Sequence, residues 1–432
     1  MLEKIFHLSD NKTNVKTEIL AGFTTFMTMA YILIVNPQIL HKTGMPMEAV
    51  FAATALASFI GTIIMAFVAN YPFGMAPGMG LNALFTYTIC ITMHFSWQTA
   101  LAASFIEGII FLLLNVFKVR QYIIDSVPQT LKYAISIGIG FFITFIGLQD
   151  AGIIVKSDGT LVTLANMKSP TVLLAVLGVL LIAVLYNRGI KGSFIIGMVV
   201  IYVLGIIFGL SPAPSKAFSV PPSVAPVFLK FDFSHAMTFK IIPVILAMLF
   251  VDIFDSIGTL IGLASKAGYL DKDGNVKNAD KVLTADAVGS TIGACLGTST
   301  PVAFVESASG IAEGGRTGLT SFVVGVLFLV SLFFGGLIGI VPSEATAPAL
   351  VIVGVLMLGA VKEIDFDDFT EALPAFFTIA IMPFSYSIAN GVAAGIIFYP
   401  IMKLVTGKYK DVHPIMYVLA LLFIFRFVML PQ

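Results

Sequence analysis

The sequence predicts an all-α polytopic membrane protein with about 14 transmembrane segments, arranged as two inverted repeats of about seven segments each. Of its 432 residues, 58% are hydrophobic and only 11% are charged, whereas soluble globular proteins carry about 25% charged residues. Apolar runs of about 18 residues or more, long enough to cross a bilayer as a helix, recur from end to end. Two segments rich in Gly and Pro interrupt this pattern at matching places in the two halves.

Hydropathy predicts ordinary membrane spans along most of the chain. In chain order we expect them at 20–37, 50–69, 97–117, 134–150, 171–187, 193–210, 241–263, 282–297, 317–340, 346–361, 370–386 and 388–405. Segments 73–90 and 299–314 are too rich in Gly and Pro for ordinary spans, and each is counted as one crossing. The last apolar stretch, 413–430, either spans the bilayer or lies in its interface, and hydropathy leaves both open.

The basic residues predict the orientation in the membrane. With the N-terminus inside, most lysines and arginines of the loops fall on the cytoplasmic side, as the positive-inside rule requires. Residues 1–19 are polar and lack the apolar core of a cleavable signal peptide, so we expect them in the cytoplasm. The expected location is the cell membrane (plasma or inner membrane), which the chain crosses many times with lipid around its apolar surface.

A Pro-rich linker divides the chain into two halves. We predict a first repeat at 20–210, an external linker at 211–240, a second repeat at 241–405 and a C-terminal apolar segment at 406–432. An odd number of crossings in each half threads the second half upside down relative to the first. The interrupted segments then occupy corresponding positions, which is the sequence feature that best indicates a transporter's substrate site.

The interrupted segments align through one proline each. When Pro77 is aligned with Pro301, Asn82 falls opposite Glu306. A broken membrane helix exposes backbone groups that are tolerated only beside protein or water. Each segment is therefore expected to form an extended stretch followed by a half-helix whose first turn offers N–H donors. The residues that break the helices are Pro77, Gly78, Thr300 and Pro301. Alternatively, the prolines only kink ordinary helices and Asn82 is a helix cap.

Acidic residues inside predicted spans are the strongest functional candidates. In FVDIFDSIGTL (250–260), Asp252 and Asp255 stand three residues apart, on one face of a helix. An ionised Asp at the centre of a membrane helix costs about 2.5–3.5 kcal/mol, so the pair needs water, a partner or a proton. Glu306 has an equally apolar context. We expect these three acids to face one small cavity as proton-coupling groups, with Asp255 alternatively only tuning Asp252.

Other side chains have a structural interpretation beside the functional one. Glu107 either functions in the cavity or joins two helices by a hydrogen bond. Phe304 either stacks on a flat ligand or packs, and Ser256 either contacts the ligand or only lines its helix. Cys90 and Cys295 lie in apolar sequence and indicate no disulfide or metal framework. A hydroxyl-bearing face in the first span either lines the cavity or packs, and it contains Thr24, Thr25, Thr28 and Tyr31.

Four stretches of the chain resemble a known transporter family. They are AGFTTFMTMAYILIVNP (21–37), APGMGLNA (76–83), FVDIFDSIGTLIG (250–262) and LTADAVGSTIGACLGTSTPVAFVESASGIAEGGRTGLTS (283–321). Together they are similar to the nucleobase:cation symporters, in the adenine/guanine/hypoxanthine permease (azaguanine-permease-like) branch. The resemblance covers essentially the whole chain and implies the inverted-repeat fold of uracil permease.

The resemblance also implies two domains. The core domain would contain the spans of 20–117 and 241–340, and the gate domain those of 134–210 and 346–405. In this family the gate domain often forms a homodimer, so a second copy of the chain is an expected partner.

The same resemblance implies site residues. In the family, an acid on the eighth span and a Glu on the tenth hold the base beside groups of the third span; by position these are Asp252, Glu306 and Asn82 with Gly80. Uracil permease has a His where Ser256 stands, so proton coupling is expected to depend on carboxylates. A purine offers N–H donors to carboxylates and acceptor atoms to Asn82 or to half-helix N–H groups.

The predicted function is import of purine nucleobases by proton symport, with guanine and hypoxanthine favoured and adenine next. No enzyme activity, metal or cofactor is expected, apart from the co-transported proton. One alternative is an anion transporter or exchanger of the same fold, although acids would repel its substrates. Two others are an intramembrane aspartyl protease, which usually takes its aspartates from two helices, and a passive channel, which needs no broken helices. The formal net charge of zero offers no basic surface for nucleic acid.

Overall fold

The computed structural model describes residues 2–117, 126–213, 218–236, 238, 241–269, 276 and 278–429. Parts of the predicted linker and the last residues of the predicted C-terminal segment lie outside the described residues. Within the described part the chain is mostly helical, and eight helices are long and apolar enough to cross a membrane. The all-α polytopic fold class is therefore confirmed, while the number of crossings, about 14, stays a prediction.

The helices follow the predicted spans in chain order. The first half contains α1 (Leu2–Phe6), α2 (Val15–Met29), α3 (Ile32–His41), α4 (Met47–Ile64), α5 (Met79–Ala83), α6 (Trp97–Val116), α7 (Gln129–Asp150), α8 (Pro170–Asn187) and α9 (Ser193–Ile207). The second half contains α10 (Phe233–Ala236), α11 (Ile242–Ala267), α12 (Ala279–Leu296), α13 (Ser307–Ala312), α14 (Gly318–Ser331), α15 (Ser343–Met357), α16 (Phe369–Phe384), α17 (Ile388–Val405) and α18 (Pro414–Met429).

Several helices continue beyond these bounds in altered helical form. A π-helical turn at Met65–Ala69 extends α4, and a longer one at Leu84–Thr92 extends α5. The 3₁₀ segments Leu332–Ile340 and Leu358–Glu363 extend α14 and α15. The helix α5 with its extension is therefore an apolar helix of intermediate length rather than a full span.

Local sequence sets where individual helices begin and end. At the start of α2, the Asn14 side chain accepts a hydrogen bond from the Thr17 N–H at 3.0 Å. At the start of α6, the Ser96 hydroxyl oxygen accepts one from the Thr99 N–H at 3.2 Å. These bonds satisfy N–H groups that have no partner inside the helix. Gly297 ends α12 with a φ of +93°, a conformation that favours glycine.

A buried pair of short strands lies at the centre of the structure. Strand β1 (Met75–Pro77) pairs antiparallel with β4 (Pro301–Ala303), and the register sets Pro77 opposite Pro301, a pairing that the repeat alignment did not itself predict. The Gly78 N–H continues the pairing by donating to the Thr300 carbonyl at 3.0 Å. Extended backbone can exist at membrane depth only when its polar groups are satisfied internally. The two interrupted segments therefore form hydrogen bonds with each other's backbone N–H and C=O groups.

The helices pack in two groups that meet at α11. In one group α14 contacts α2 and α4, and α12 contacts α4 and α6; in the other α15 and α16 contact α7, and α8 contacts α9 and α15. Helix α11 contacts α6 and α13 of the first group and α7 and α17 of the second. Helix α11 therefore lies at the boundary between the groups.

Hydropathy left two elements unassigned. Strands β2 (Ile154–Ser157) and β3 (Leu161–Leu164) form an antiparallel hairpin after α7, mostly exposed, which hydropathy did not predict because it lies outside the apolar runs. The final helix α18 packs along α17. Whether α18 crosses the membrane stays open.

Candidate functional site

The paired strands β1 and β4 lead directly into the two half-helices. Gly78 is the N-cap of α5, and Glu306 is the N-cap of α13. Asn82 lies in the first turn of α5, as expected, whereas Glu306 precedes the first turn of its helix by one residue. Of the predicted breakers, Pro77 and Gly78 lie where β1 leads into α5, whereas Thr300 and Pro301 lie at the start of β4, and all four are buried.

Glu306 is a half-buried acid at the junction of β4 and α13. The Tyr31 hydroxyl donates a hydrogen bond to Glu306 Oε1 at 2.8 Å. Asp255 of α11 interacts electrostatically with Glu306 and lies close to the other strand end, because a Cβ added at Gly78 would be 3.8 Å from Asp255 Oδ2. Both broken segments and both half-buried acids therefore meet at one place.

Asp252 faces a different set of neighbours. It is fully buried, and its carboxyl group interacts electrostatically with those of Glu107 and Asp286. The Ser256 hydroxyl lies within hydrogen-bond distance of both Asp252 Oδ1, at 3.3 Å, and Asp286, and the Ser290 hydroxyl lies 3.5 Å from Asp252 Oδ2. We call Glu107, Asp252 and Asp286 the carboxyl cluster. Buried carboxyl groups that interact in this way repel one another when all are ionised, so the cluster is suited to hold a proton.

The carboxyl cluster is attached to the paired strands. Asp286 Oδ1 accepts a hydrogen bond from the Ala303 N–H at 3.2 Å, and Glu107 Oε2 accepts one from the Thr300 hydroxyl at 3.4 Å. A change of charge in the cluster would therefore act directly on β4, which leads to Glu306. Among the residues that the structure describes, no group of His, Cys, Asp and Glu is arranged to hold a metal ion.

The remaining predicted residues lie around the strand ends. The Asn82 carbonyl oxygen accepts a hydrogen bond from the Ser299 hydroxyl, so its amide group is the donor that remains. A Cβ added at Gly80 would be 3.1 Å from Ile139 Cγ2 of α7, a tighter contact than most Cβ atoms make, so glycine favours this close approach. Phe304 is buried in the main apolar core, and its N–H donates to the Gly74 carbonyl.

Comparison with known proteins decides the family. The profile described as the permease family matches residues 16–406. The chain belongs to this family. A permease moves a solute across a membrane, so the chain is a multi-pass membrane transporter and not an enzyme.

Relatives of this permease extend over its full length. A putative permease of Methanocaldococcus jannaschii is 52% identical, covering 99% of this chain and 98% of its own. The guanine/hypoxanthine permease PbuG of Bacillus subtilis is 44% identical, covering 99% and 100%. The adenine permease AdeQ of Escherichia coli is 42% identical, covering 99% and 96%. The resemblance to the adenine/guanine/hypoxanthine permeases is therefore confirmed.

Solved structures confirm the fold of the permease. The transmembrane domain of the cyanobacterial bicarbonate transporter BicA superposes with a TM-score of 0.69 at 14% identity, covering 87% of this chain and 97% of that domain. The structure of SLC26A9 superposes with a TM-score of 0.63 at 11% identity, covering 91% of this chain and 67% of that one. At this identity the likeness concerns the fold alone.

Two ion pairs join the helix groups of the permease. Lys42, after α3, lies 2.6 Å from Asp150 at the end of α7, and also donates to the Tyr87 hydroxyl. Lys191, between α8 and α9, forms an ion pair with Glu313 after α13. In the predicted orientation the first pair is external and the second is cytoplasmic.

Sequence reasoning missed two buried acids. Asp286 lies inside a predicted span, so the argument applied to Asp252 would have found it. Glu18 is fully buried, and its carboxylate accepts hydrogen bonds from the N–H groups of Arg316, Thr317 and Thr320 at 2.9, 3.3 and 3.1 Å. It therefore joins α2 to the start of α14. Glu18 stands at the polar edge of its span, where an acid gives no unusual signal.

Proposed function

We propose that this permease imports purine nucleobases across the cell membrane by proton symport, with guanine and hypoxanthine favoured over adenine. The observation that carries the proposal is the meeting of two half-helices with the half-buried acids Asp255 and Glu306 at one pair of strands. Full-length relatives named adenine permease and guanine/hypoxanthine permease support the substrate class. An anion substrate is disfavoured because these acids would repel it.

A purine fits the donors and acceptors around the strand ends. Glu306 and Asp255 would accept hydrogen bonds from ring N–H groups or an exocyclic amine. The amide group of Asn82, whose oxygen is already bonded to Ser299, would donate to a carbonyl oxygen. A 6-oxopurine carries such an oxygen and adenine does not, which supports the preference for guanine and hypoxanthine. Gly80 allows α5 to lie close to Ile139 of α7, and the ring of Phe304 would stack on the flat base.

The carboxyl cluster would carry the coupling proton. Asp252 and Glu107 interact electrostatically, and the Ser256 hydroxyl connects Asp252 with Asp286. A proton entering this cluster would remove negative charge beside Asp255, which interacts with Asp252 and with Glu306. Protonation and purine binding would therefore favour each other. Release of the proton inside would then weaken purine binding there, which is the requirement for symport.

Alternating access would come from motion of a core domain against a gate domain. The core would contain α2–α6 and α11–α14, and the gate α7–α9 and α15–α17, with residues 1–19 in the cytoplasm. The ion pairs Lys42–Asp150 and Lys191–Glu313 join these groups at the two ends. Opening on one side would break one pair while keeping the other. Gate helices would also supply the contact in a homodimer.

Uptake of labelled hypoxanthine by cells expressing the permease, with and without a protonophore, tests the proposal. We expect uptake that collapses with the protonophore and that unlabelled guanine inhibits more strongly than adenine. Asp252→Asn and Glu306→Gln should both abolish concentrative uptake, whereas Glu48→Gln, an acid at the start of α4, serves as the matched control. Normal transport by both site variants would refute the site, and protonophore-insensitive uptake would refute proton coupling.

A further inference from the structure

Tyr31 connects the candidate site with the gate helices. It lies between α2 and α3, where the first helix is interrupted, and its side chain is only 1% exposed. Its hydroxyl donates to Glu306 Oε1 at 2.8 Å. Its ring stacks on Phe194 of α9 with centroids 5.0 Å apart and planes inclined by 22°. One side chain therefore touches the acid at the strand ends and a helix of the opposite group.

We propose that Tyr31 is a positioning residue for transport: its hydroxyl holds the Glu306 carboxylate in the ionised, oriented state that accepts an N–H of the purine. The proposal deepens the function proposed above and rests on it.

The hydrogen bond acts on both the orientation and the charge of Glu306. A carboxylate can accept about four hydrogen bonds, and Tyr31 occupies one site on Oε1, leaving Oε2 for the ligand. A donor held at this distance limits rotation of the carboxylate, so less order is lost when the purine binds. The same donor favours the ionised carboxylate over the neutral acid. Without it, Glu306 would take up a proton more readily and would no longer accept the purine N–H.

The stacking on Phe194 is a second contact of Tyr31, separate from its hydrogen bond to Glu306. The Tyr31 ring is buried and packs against α9, while its hydroxyl bonds to Glu306 on the other side. The ring and the hydroxyl can be removed separately, since Tyr31→Phe retains the stacked ring and Phe194→Leu retains the hydroxyl. Stacking therefore serves as an internal control for the hydrogen bond.

The test uses the full-length permease in proteoliposomes under a constant proton gradient. Initial rates of labelled hypoxanthine uptake are measured against concentration at several pH values. For Tyr31→Phe we expect KM to rise about 10-fold, as for loss of a hydrogen bond to a charged group, with Vmax within about twofold. The acid limb of the KM–pH profile should move to higher pH. Tyr202→Phe, which loses a hydroxyl bonded to the Pro212 carbonyl at 2.8 Å, should match the wild type.

Two further variants keep the proposal falsifiable if Tyr31→Phe folds poorly. Glu306→Asp shortens the acid away from Tyr31, so it should move the acid limb in the same direction, and adding Tyr31→Phe to it should cause no further shift. Phe194→Leu should leave the acid limb in place.

The outcomes separate this inference from the proposed function. A wild-type KM and pH profile in Tyr31→Phe, with uptake abolished in Glu306→Gln, overturns the role of Tyr31 and leaves the function standing. An unshifted acid limb in Glu306→Asp overturns it as well. Normal uptake by Glu306→Gln would refute the proposed site itself.

Discussion

Lys42→Ala and Lys191→Ala should shift the conformational equilibrium of the permease in opposite directions. Lys42 bonds to Asp150 and Lys191 to Glu313, and each ion pair connects the two helix groups. Removing the external pair should favour the outward-facing state, because only that state requires the pair to be broken. Removing the cytoplasmic pair should favour the inward-facing state for the same reason.

The size of the shift follows from the exposure of the pairs. The side chains of Lys42 and Asp150 are 35% and 25% exposed, so solvent screens their attraction. An ion pair of this kind contributes about 0.5–1 kcal/mol, which corresponds to about a two- to fivefold change in the ratio of the two states. Lys191 is 47% exposed, so its effect should be at the lower end. Both effects should shrink in high salt, which screens exposed charges.

The assay is a distance measurement between spin labels on the external side. Labels at Thr43 and Lys156, in a background without the native cysteines, report the separation of the two helix groups. Lys42→Ala should increase the population with the longer distance and Lys191→Ala should decrease it. The charge exchange Lys42→Asp with Asp150→Lys should restore the original distribution. Shifts in the same direction for both alanine variants, or a shift unaffected by salt, would refute the reasoning.

Three further predictions concern stability, measured as denaturation midpoints in detergent. Lys403→Met leaves the Glu371 carboxylate without the cation 2.5 Å away, so the free energy of unfolding should fall by about 3–5 kcal/mol. Adding Glu371→Gln should recover most of this loss. A double variant no more stable than Lys403→Met alone would contradict the expectation. Glu18→Ala leaves buried N–H groups at the start of α14 without an acceptor, so the free energy of unfolding should fall by at least about 3 kcal/mol. Glu18→Gln, which keeps an acceptor oxygen, should lower it clearly less. Hydrogen bonds from Ser234 and its neighbours hold the pKa of Asp232 well below its ordinary value. A carboxylate with a lowered pKa stabilises the fold at pH values above its pKa in the unfolded chain, and this stabilisation is lost as the pH falls. Asp232→Asn should therefore lower the free energy of unfolding most near neutral pH and least in acid. A penalty independent of pH would contradict this last expectation.

The broken segments were predictable because their signal is local. Gly and Pro at membrane depth interrupt a helix wherever they stand, and inverted repeats then require the two interruptions to meet. This logic led from sequence to two broken segments that meet, whereas the strand pairing of Pro77 with Pro301 came from the structure. The hydrogen bond between Tyr31 and Glu306 had no such signal, because a Tyr in an apolar helix is equally consistent with packing.

By itself, the sequence determined the fold class and four of the acids considered at the site, namely Glu107, Asp252, Asp255 and Glu306, but not Asp286. The bilayer sets the length of each helix and makes any buried charge conspicuous, and both properties can be read along a single chain. Only the tertiary structure decided which acids act together. Asp252 and Asp255 differ by about 60° around α11, and this offset turns one toward Glu107 and Asp286 and the other toward Glu306. The neighbours on each side come from distant parts of the chain, so no local pattern contains them.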